Sequence, residues 1–289
     1  MRYSYYPGCT LYNKAKDFDD SARRSCQALG IELVELPHWY CCGAIYPQSQ
    51  DHKIPLIAPF RVLAKAKNEG LDLVTLCSFC YHVLKRVNYA VNNDKEKLDL
   101  LNDFLNENYR GDQKVLHLLE VLRDDVGFDR LAQYQKKDLS KLKVAPYYGC
   151  YLLRPQREIG LDDQENPMIL NHFLSSLGIE VIDSPHKVEC CGSYLVLVNR
   201  DATLAAVRRI IEGVKRLGAE AIATSCPLCH YNLDKFQAEL KKEGLEPIPV
   251  FYFTQLLALF LGLERISFTT NKVPVEPYLR EKIGDGYSG

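Results

Sequence analysis

The chain has no apolar run long enough to cross a bilayer. Its greasiest stretch, LLALFLGL at 256–263, is less than half of the roughly 20 residues that a spanning helix needs. It has no excess of charge either: 36 basic side chains stand against 37 acidic ones, for a formal net charge of -1. No nucleic-acid surface is therefore expected, and the basic clusters read as solvated helix faces. The opening MRYSYYPGC lacks the basic start and apolar core of a secretory signal, so a cytoplasmic chain is expected. There is no GxGxxG and no P-loop, which excludes a visible flavin, dinucleotide or ATP site. Electrons for any redox chemistry must then come from a partner.

What the chain does have is cysteine. Ten of its eleven cysteines form one pattern written twice. The first copy is Cys9, Cys41-Cys42-Gly43 and Cys77-Ser-Phe-Cys80; the second is Cys150, Cys190-Cys191-Gly192 and Cys226-Pro-Leu-Cys229. The last two elements recur at an offset of 149 positions, whereas Cys9 and Cys150 lie 141 apart, so the copies differ by a short insertion. A cysteine-rich chain without a secretion signal reads as a metalloprotein of a reducing compartment, not as a disulfide scaffold. Cys26 falls outside the pattern, and its spacing with Ala22 and Leu29 marks a buried apolar helix position.

The surroundings repeat as well. Matching apolar runs precede each cysteine element: RYSYYPG and KVAPYYG, IELVELP and IEVIDSP, LDLVTL and AEAIATS. Helical stretches lie between them and close on glycine, as in FDDSARRSCQALG against MILNHFLSSLG. The closing segments KVLHLLEVL (114–122) and PVFYFTQLLAL (249–259) also correspond. Alternating strands and helices predict parallel βαβ units. The expected fold is α/β: two tandem-duplicated CCG units with short parallel sheets and flanking helices, pseudo-twofold related. The expected domains are residues 1–138 and 139–289, with the seam in the polar stretch 128–141. Beyond Arg265 the periodicity is lost, and an extended C-terminal tail lying across a partner is expected.

Each cysteine element follows the carboxyl end of a predicted strand, the edge where open parallel sheets gather their ligands. Cys80 and Cys229 fall in the first turn of the next helix, where the helix dipole favours thiolates. Five thiols can thus converge once per half. Structural zinc is the bland assignment, since CxxC pairs are common zinc ligands. Zinc wants four ligands, however, and the side chains of a vicinal pair point to opposite sides. Such a pair suits different irons of a polynuclear iron–sulfur cluster better than one small ion. A pure dithiol/disulfide role remains a third option.

The twin CCG pattern resembles the B subunit of heterodisulfide reductase. The resemblance runs from Tyr3 to about Arg265 and includes YYGCYLLRP (147–155) and LDDQENP (161–167). It implies two non-cubane 4Fe–4S clusters. Cys9, Cys41, Cys42, Cys77 and Cys80 would hold one; Cys150, Cys190, Cys191, Cys226 and Cys229 would hold the other. It further implies an oxidoreductase acting on a sulfur group, in which a disulfide is cleaved to two thiols between the clusters. The implied partners are an iron–sulfur C subunit as donor and a flavin-bearing A subunit behind it, whose flavin bifurcates electrons in the larger assemblies. In methanogens the substrate is the mixed disulfide of coenzymes M and B; elsewhere a protein disulfide or another small thiol pair takes its place.

Candidate proton donors are His38 and His186, which precede the CCG motifs, and His82 and His230, which follow the CxxC pairs; a structural hydrogen-bond role is the alternative for each. His52, His117 and His172 have no such placement. Arg154 and Arg157 could hold an anionic group or simply pair with the acidic 162–165 stretch. Gly43 and Gly192 are expected to serve loop conformation. Tyr5, Tyr6, Trp39, Tyr40, Tyr147 and Tyr148 could shield a cluster or be plain core. Two rival readings are an electron-transfer CCG subunit that binds no disulfide, and a structural zinc protein.

Overall fold

The computed structural model describes residues 1–44 and 54–284; His52 and the last five residues lie outside them. Its strands form two sheets, parallel throughout. β1 (Arg2–Tyr5), β2 (Glu32–Glu35), β3 (Leu73–Thr75) and β4 (Val115–His117) align in the order β2-β1-β3-β4. β5 (Lys143–Tyr147), β6 (Glu180–Val181), β7 (Ala221–Thr224) and β8 (Val250–Tyr252) repeat that order as β6-β5-β7-β8. The duplication read from the sequence is thus a duplication of topology. β3 and β7 are buried along their whole length, as inner strands with helices on both faces must be.

The connecting helices also correspond: Lys16–Ala28 with Ile169–Ser176, Ile54–Asn68 with Arg200–Arg216, and Ser78–Asn92 with Pro227–Lys235. The paired closing segments each supply a fourth strand followed by a helix, Leu118–Val121 after β4 and Phe253–Phe260 after β8. In each sheet the chain leaves the first strand in one direction and returns on its other side. The crevice this reversal creates lies between the carboxyl ends of β1 and β3, and again between those of β5 and β7.

The halves share one continuous apolar core. Across the seam the helix Lys16–Ala28 packs on Phe253–Phe260: Phe18 stacks on Tyr252 with ring centroids 4.3 Å apart, and Ser21 Oγ lies 2.7 Å from Thr254 Oγ1. The segment after Arg265 does not extend away from the body. It runs back along both halves and ends in a helix, Glu276–Ile283, with Val275 and Leu279 fully buried. One buried carboxylate from each half holds it. Asp17 accepts from Ser267 Oγ, Thr269 Oγ1 and the Thr270 N–H, while Asp234 accepts from the N–H groups of Lys272 and Val273. Hydrogen bonds to buried carboxylates act together with irregularly spaced apolar residues such as Ile266, Phe268 and Val275 to secure this strap, which is why periodicity did not reveal it.

Candidate metal centre

Each cysteine element sits where a strand ends. Cys9 follows β1 and Cys150 follows β5; Cys77 and Cys226 are the N-caps of the helices Ser78–Asn92 and Pro227–Lys235, with Cys80 and Cys229 in their first turns. Two local devices, repeated in both halves, bring these elements together. Tyr6 and Tyr147, buried at the ends of β1 and β5, each donate a hydrogen bond to the carbonyl of the residue before a CCG motif: Tyr6 Oη to Tyr40 O at 2.7 Å, Tyr147 Oη to Glu189 O at 2.6 Å. Each tyrosine thus pins the CCG loop to the neighbouring strand. Gly8 and Gly149 have φ of 72° and 66°, and a Cβ there would stand 2.7 Å from Cys80 Sγ and 3.0 Å from Cys229 Sγ. Glycine is required at both positions for its conformation and for the space it leaves the thiol.

The sulfurs approach in pairs: Cys9 with Cys41 at 3.7 Å, Cys42 with Cys80 at 3.6 Å and Cys191 with Cys229 at 3.6 Å. These distances are far beyond the roughly 2.05 Å of a disulfide bond. They match the spacing of about 3.7 Å that two thiolates take on a shared metal with bonds of about 2.3 Å. Among the described residues no three cysteine, histidine or carboxylate side chains close around a single ion. The donor set, soft, all-sulfur and spread beyond one tetrahedron, fits a polynuclear iron–sulfur group better than a zinc ion.

The protons are unequally held within each set. Cys41 is pulled down by its hydrogen bonds with Cys42 and Cys9, with the N–H groups of Gly43 and Ala44 adding to them, and Cys190 is pulled down to about 6, chiefly by its hydrogen bond with Cys150. Cys80 and Cys229, where the helix dipole was expected to favour the thiolate, are instead pushed up. Hydrogen bonds with Cys42 and Cys77 raise Cys80, those with Cys191 and Cys226 raise Cys229, and burial adds to both. In the first half the helix amides act one turn earlier: Cys77 is lowered by its hydrogen bond with Cys80 and then by the N–H groups of Cys80 and Phe79.

The two sets meet back to back. Ser78 Oγ and Ser225 Oγ lie 2.9 Å apart, joining the neighbour of Cys77 to the neighbour of Cys226. A cavity of about 370 Å³ opens beside this seam. All five N-terminal cysteines border it, with Phe79, Tyr194, Leu228, Tyr231 and Tyr252 forming much of the remaining wall and Lys14 and Lys272 also facing it.

Of the candidate histidines, His230 alone borders this cavity. Its Nε2 is 3.0 Å from Val250 O, its ring stacks on Tyr252, and burial pushes it down to about 4. His82 packs across the seam with Nδ1 3.1 Å from Tyr151 O, and is likewise held down to about 4, by burial and then by Arg86. His82 and His230 are not equivalents. Counted from the preceding cysteine, Tyr81-His82 in one half answers His230-Tyr231 in the other. His186 pairs with Glu189 at 2.9 Å, and His38 is an exposed loop residue whose carbonyl accepts from Lys65. Arg154 is spent on Val188 O, Gln164 O and Glu165, and Arg157 lies over the Tyr89 ring. Cys26 is fully buried, as its spacing implied, and Gly43 and Gly192 have φ of 73° and 91°.

Sequence reasoning missed Asn232. This buried amide donates to Cys191 O at 3.2 Å, to Ser193 O at 3.1 Å and toward Cys191 Sγ at 3.5 Å. Its counterpart in the first half is Val83, three residues past Cys80. An asparagine where the repeat has valine was the available signal.

Comparison with known proteins agrees with this geometry. The cysteine-rich domain family CCG matches twice, over residues 3–85 and 144–234. The 8-methylmenaquinol:fumarate reductase membrane anchor subunit of Wolinella succinogenes is 34% identical over 90% of this chain and 92% of its own length. The B subunit of the ferredoxin/F(420)H(2)-dependent CoB-CoM heterodisulfide reductase of Methanosarcina acetivorans is 30% identical over 90% of this chain and 89% of its own. A protein of Archaeoglobus profundus that is named as resembling the B subunit of heterodisulfide reductase is 30% identical over 91% and 92%. A hypothetical protein from Helicobacter pylori shares the fold, with a TM-score of 0.73 and 16% identity over 91% of this chain and 49% of that one. No described helix is long and apolar enough to cross a membrane. The chain therefore belongs to the family of twin CCG cysteine-rich domain proteins that includes the B subunits of heterodisulfide reductase.

Proposed function

We propose that this chain is the cluster-bearing catalytic subunit of a cytoplasmic heterodisulfide reductase-type complex, reducing a disulfide to two thiols. The observation that carries this reading is the convergence of five thiols, twice, at the carboxyl edges of two duplicated parallel sheets, one set opening on an apolar cavity. Cys9, Cys41, Cys42, Cys77 and Cys80 would hold one non-cubane 4Fe–4S cluster, and Cys150, Cys190, Cys191, Cys226 and Cys229 the second. When bound, the clusters supply electrons singly. The protein's own residues shape the site around them. Tyr6 and Tyr147 fix the CCG loops, Gly8 and Gly149 leave room for Cys80 and Cys229, and Phe79, Tyr194 and Leu228 exclude water from a ligand beside the first set. Lys14 and Lys272 offer positive charge to an anionic group on that ligand. Electrons would arrive from an iron–sulfur C subunit, with a flavin-bearing A subunit behind it.

A second reading is supported by the relative whose name places it in a menaquinol:fumarate reductase. In it the clusters pass electrons within another oxidoreductase complex and no disulfide binds. Iron and acid-labile sulfide on anaerobically purified protein, followed by EPR with and without a disulfide, separate the two. The reductase reading expects about eight irons per chain and a paramagnetic signal that changes with disulfide. Full iron content with a signal indifferent to disulfides would favour the second reading, and zinc without sulfide would overturn both.

A further inference from the structure

Reduction of R–S–S–R′ breaks one S–S bond, takes two electrons and two protons, and yields RSH and R′SH. The electrons come from an iron–sulfur donor protein. The protons need a path of their own, because a ligand seated in the apolar cavity displaces the water there. Besides cysteines, six titratable side chains border that cavity. Lys14, Tyr231 and Lys272 are exposed. His230 is pinned at Val250 O, and burial raises the phenol of Tyr252 well above its ordinary value. Asp234 remains, and it is buried. A second cavity, also of about 370 Å³, lies on its other side. Ala238, Lys241, Glu246 and Pro274 line that one and are all exposed, so it opens to solvent. Among the described residues Asp234 and Lys272 border both cavities, and of the two only Asp234 has a buried side chain.

We propose that Asp234 is the proton relay of this site, passing protons from the outer cavity to a ligand bound in the inner one. This rests on the reductase reading above. The strap fixes the carboxyl in place: Oδ2 accepts from the Lys272 N–H at 2.6 Å and Oδ1 from the Val273 N–H at 3.0 Å. Each oxygen keeps a second lone pair, so one can take a proton from outside while the other gives one inward. For each S–S bond broken, two protons cross in turn, one to each product thiolate, and the carboxylate is regenerated after each. Burial brings Asp234 to about 6 against the pull of both N–H donors and the charge of Lys272, so it binds and releases protons near neutral pH. Lys241 and Glu246 are the other charged groups on its outer side.

The test mixes chemically reduced holoprotein, freed of excess reductant, with dibutyl disulfide in weak buffer containing a pH indicator. Absorbance follows oxidation of the protein while the indicator follows proton uptake. In the wild type the two keep pace. In Asp234→Asn proton uptake lags by roughly 10²-fold, the low end of what general acid catalysis contributes, and Asp234→Glu restores part of it. A merely structural loss would slow both alike. Independently of turnover, infrared difference spectra across a pH step through about 6 show the carbonyl stretch of a protonated carboxylic acid, missing from Asp234→Asn. Should Asp234→Asn fail to load its clusters, Ala238→Phe decides. It fills the outer cavity from an exposed position on the helix Gln237–Lys242, leaves the Asp234 side chain in place, and delays proton uptake alone. Uptake that keeps pace with oxidation in either variant, or a wild type without the infrared band, overturns the proposal and leaves the reductase reading standing. A fully loaded wild type that the disulfide does not oxidise overturns that reading and the proposal with it.

Discussion

The N-terminal and C-terminal halves are built alike and finished differently. Strand order, tyrosine pins, glycine clearances and sulfur spacings recur almost position for position. Beside the cysteines, however, the neighbouring residues differ. Thr10 and Leu228 stand where the other half has Tyr151 and Phe79, two rings in contact, and Val83 stands where Asn232 donates to a cysteine. Duplication thus conserves what holds five thiols in place and lets the surroundings diverge. A repeated frame of sulfur ligands with different neighbours is the physical content of that pattern.

The largest effect is expected at the paired glycines. Alanine at Gly8 needs a left-handed conformation costing roughly 1–2 kcal/mol and thrusts its Cβ to 2.7 Å from Cys80 Sγ. On the proposed assignment of one cluster to each half, Gly8→Ala should therefore lose the N-terminal one, read as a halved iron content. Gly149→Ala, with 3.0 Å to Cys229 Sγ, should lose its cluster less completely. Equal losses would erase the distinction between the halves.

Next comes a pH term confined to the strap. Burial raises Asp234 to about 6 against the opposing pull of two backbone N–H donors. The folded chain therefore holds a proton that the unfolded chain releases near the ordinary value of 3.8. The stabilisation is fully present below that pH and is lost as pH rises through about 6. Its size is on the order of 2–3 kcal/mol at roughly 1.4 kcal/mol per unit. Denaturant titrations from pH 4 to 7 should show the decline, and Asp234→Asn should flatten it.

Asn232→Leu strands the carbonyls of Cys191 and Ser193, for a loss of about 1–3 kcal/mol. It also removes a buried donor to a cysteine sulfur. A redox titration followed by EPR should place the C-terminal cluster at lower potential and leave the N-terminal one unmoved. The smallest effect is reserved for the pins: Tyr6→Phe and Tyr147→Phe should each cost about 1 kcal/mol in denaturant midpoint, by nearly equal amounts. Unequal costs would show that the two CCG loops are not held alike.

Much of this was legible in the sequence because cysteine is scarce in ordinary cores and its spacing survives duplication. The matching offsets announced two units, and the apolar runs before each cysteine marked the strands whose carboxyl ends carry them. The functions of Tyr6 and Tyr147 were not legible, since an aromatic beside a strand is usually core and only the hydrogen bond to a distant carbonyl sets these apart. The difference between His82 and His230 needed an alignment of the halves residue by residue. The Phe79–Tyr151 ring contact joins residues 72 positions apart, a pairing that no local pattern encodes. The strap after Arg265 escaped because backbone amides bonded to Asp17 and Asp234 leave no periodic trace.

That strap has a consequence for how the molecule comes apart. Its two anchors belong to different halves, Asp17 to the first and Asp234 to the second, and its final helix buries Val275 and Leu279. Neither half can unfold and leave the strap fully bound, so its hydrogen bonds tie the two melting processes into a single cooperative transition. Cleavage of the backbone between Arg265 and Ser267 would leave the strap a separate fragment held only by these contacts, and its loss would weaken the cooperativity that the shared core between the halves still maintains.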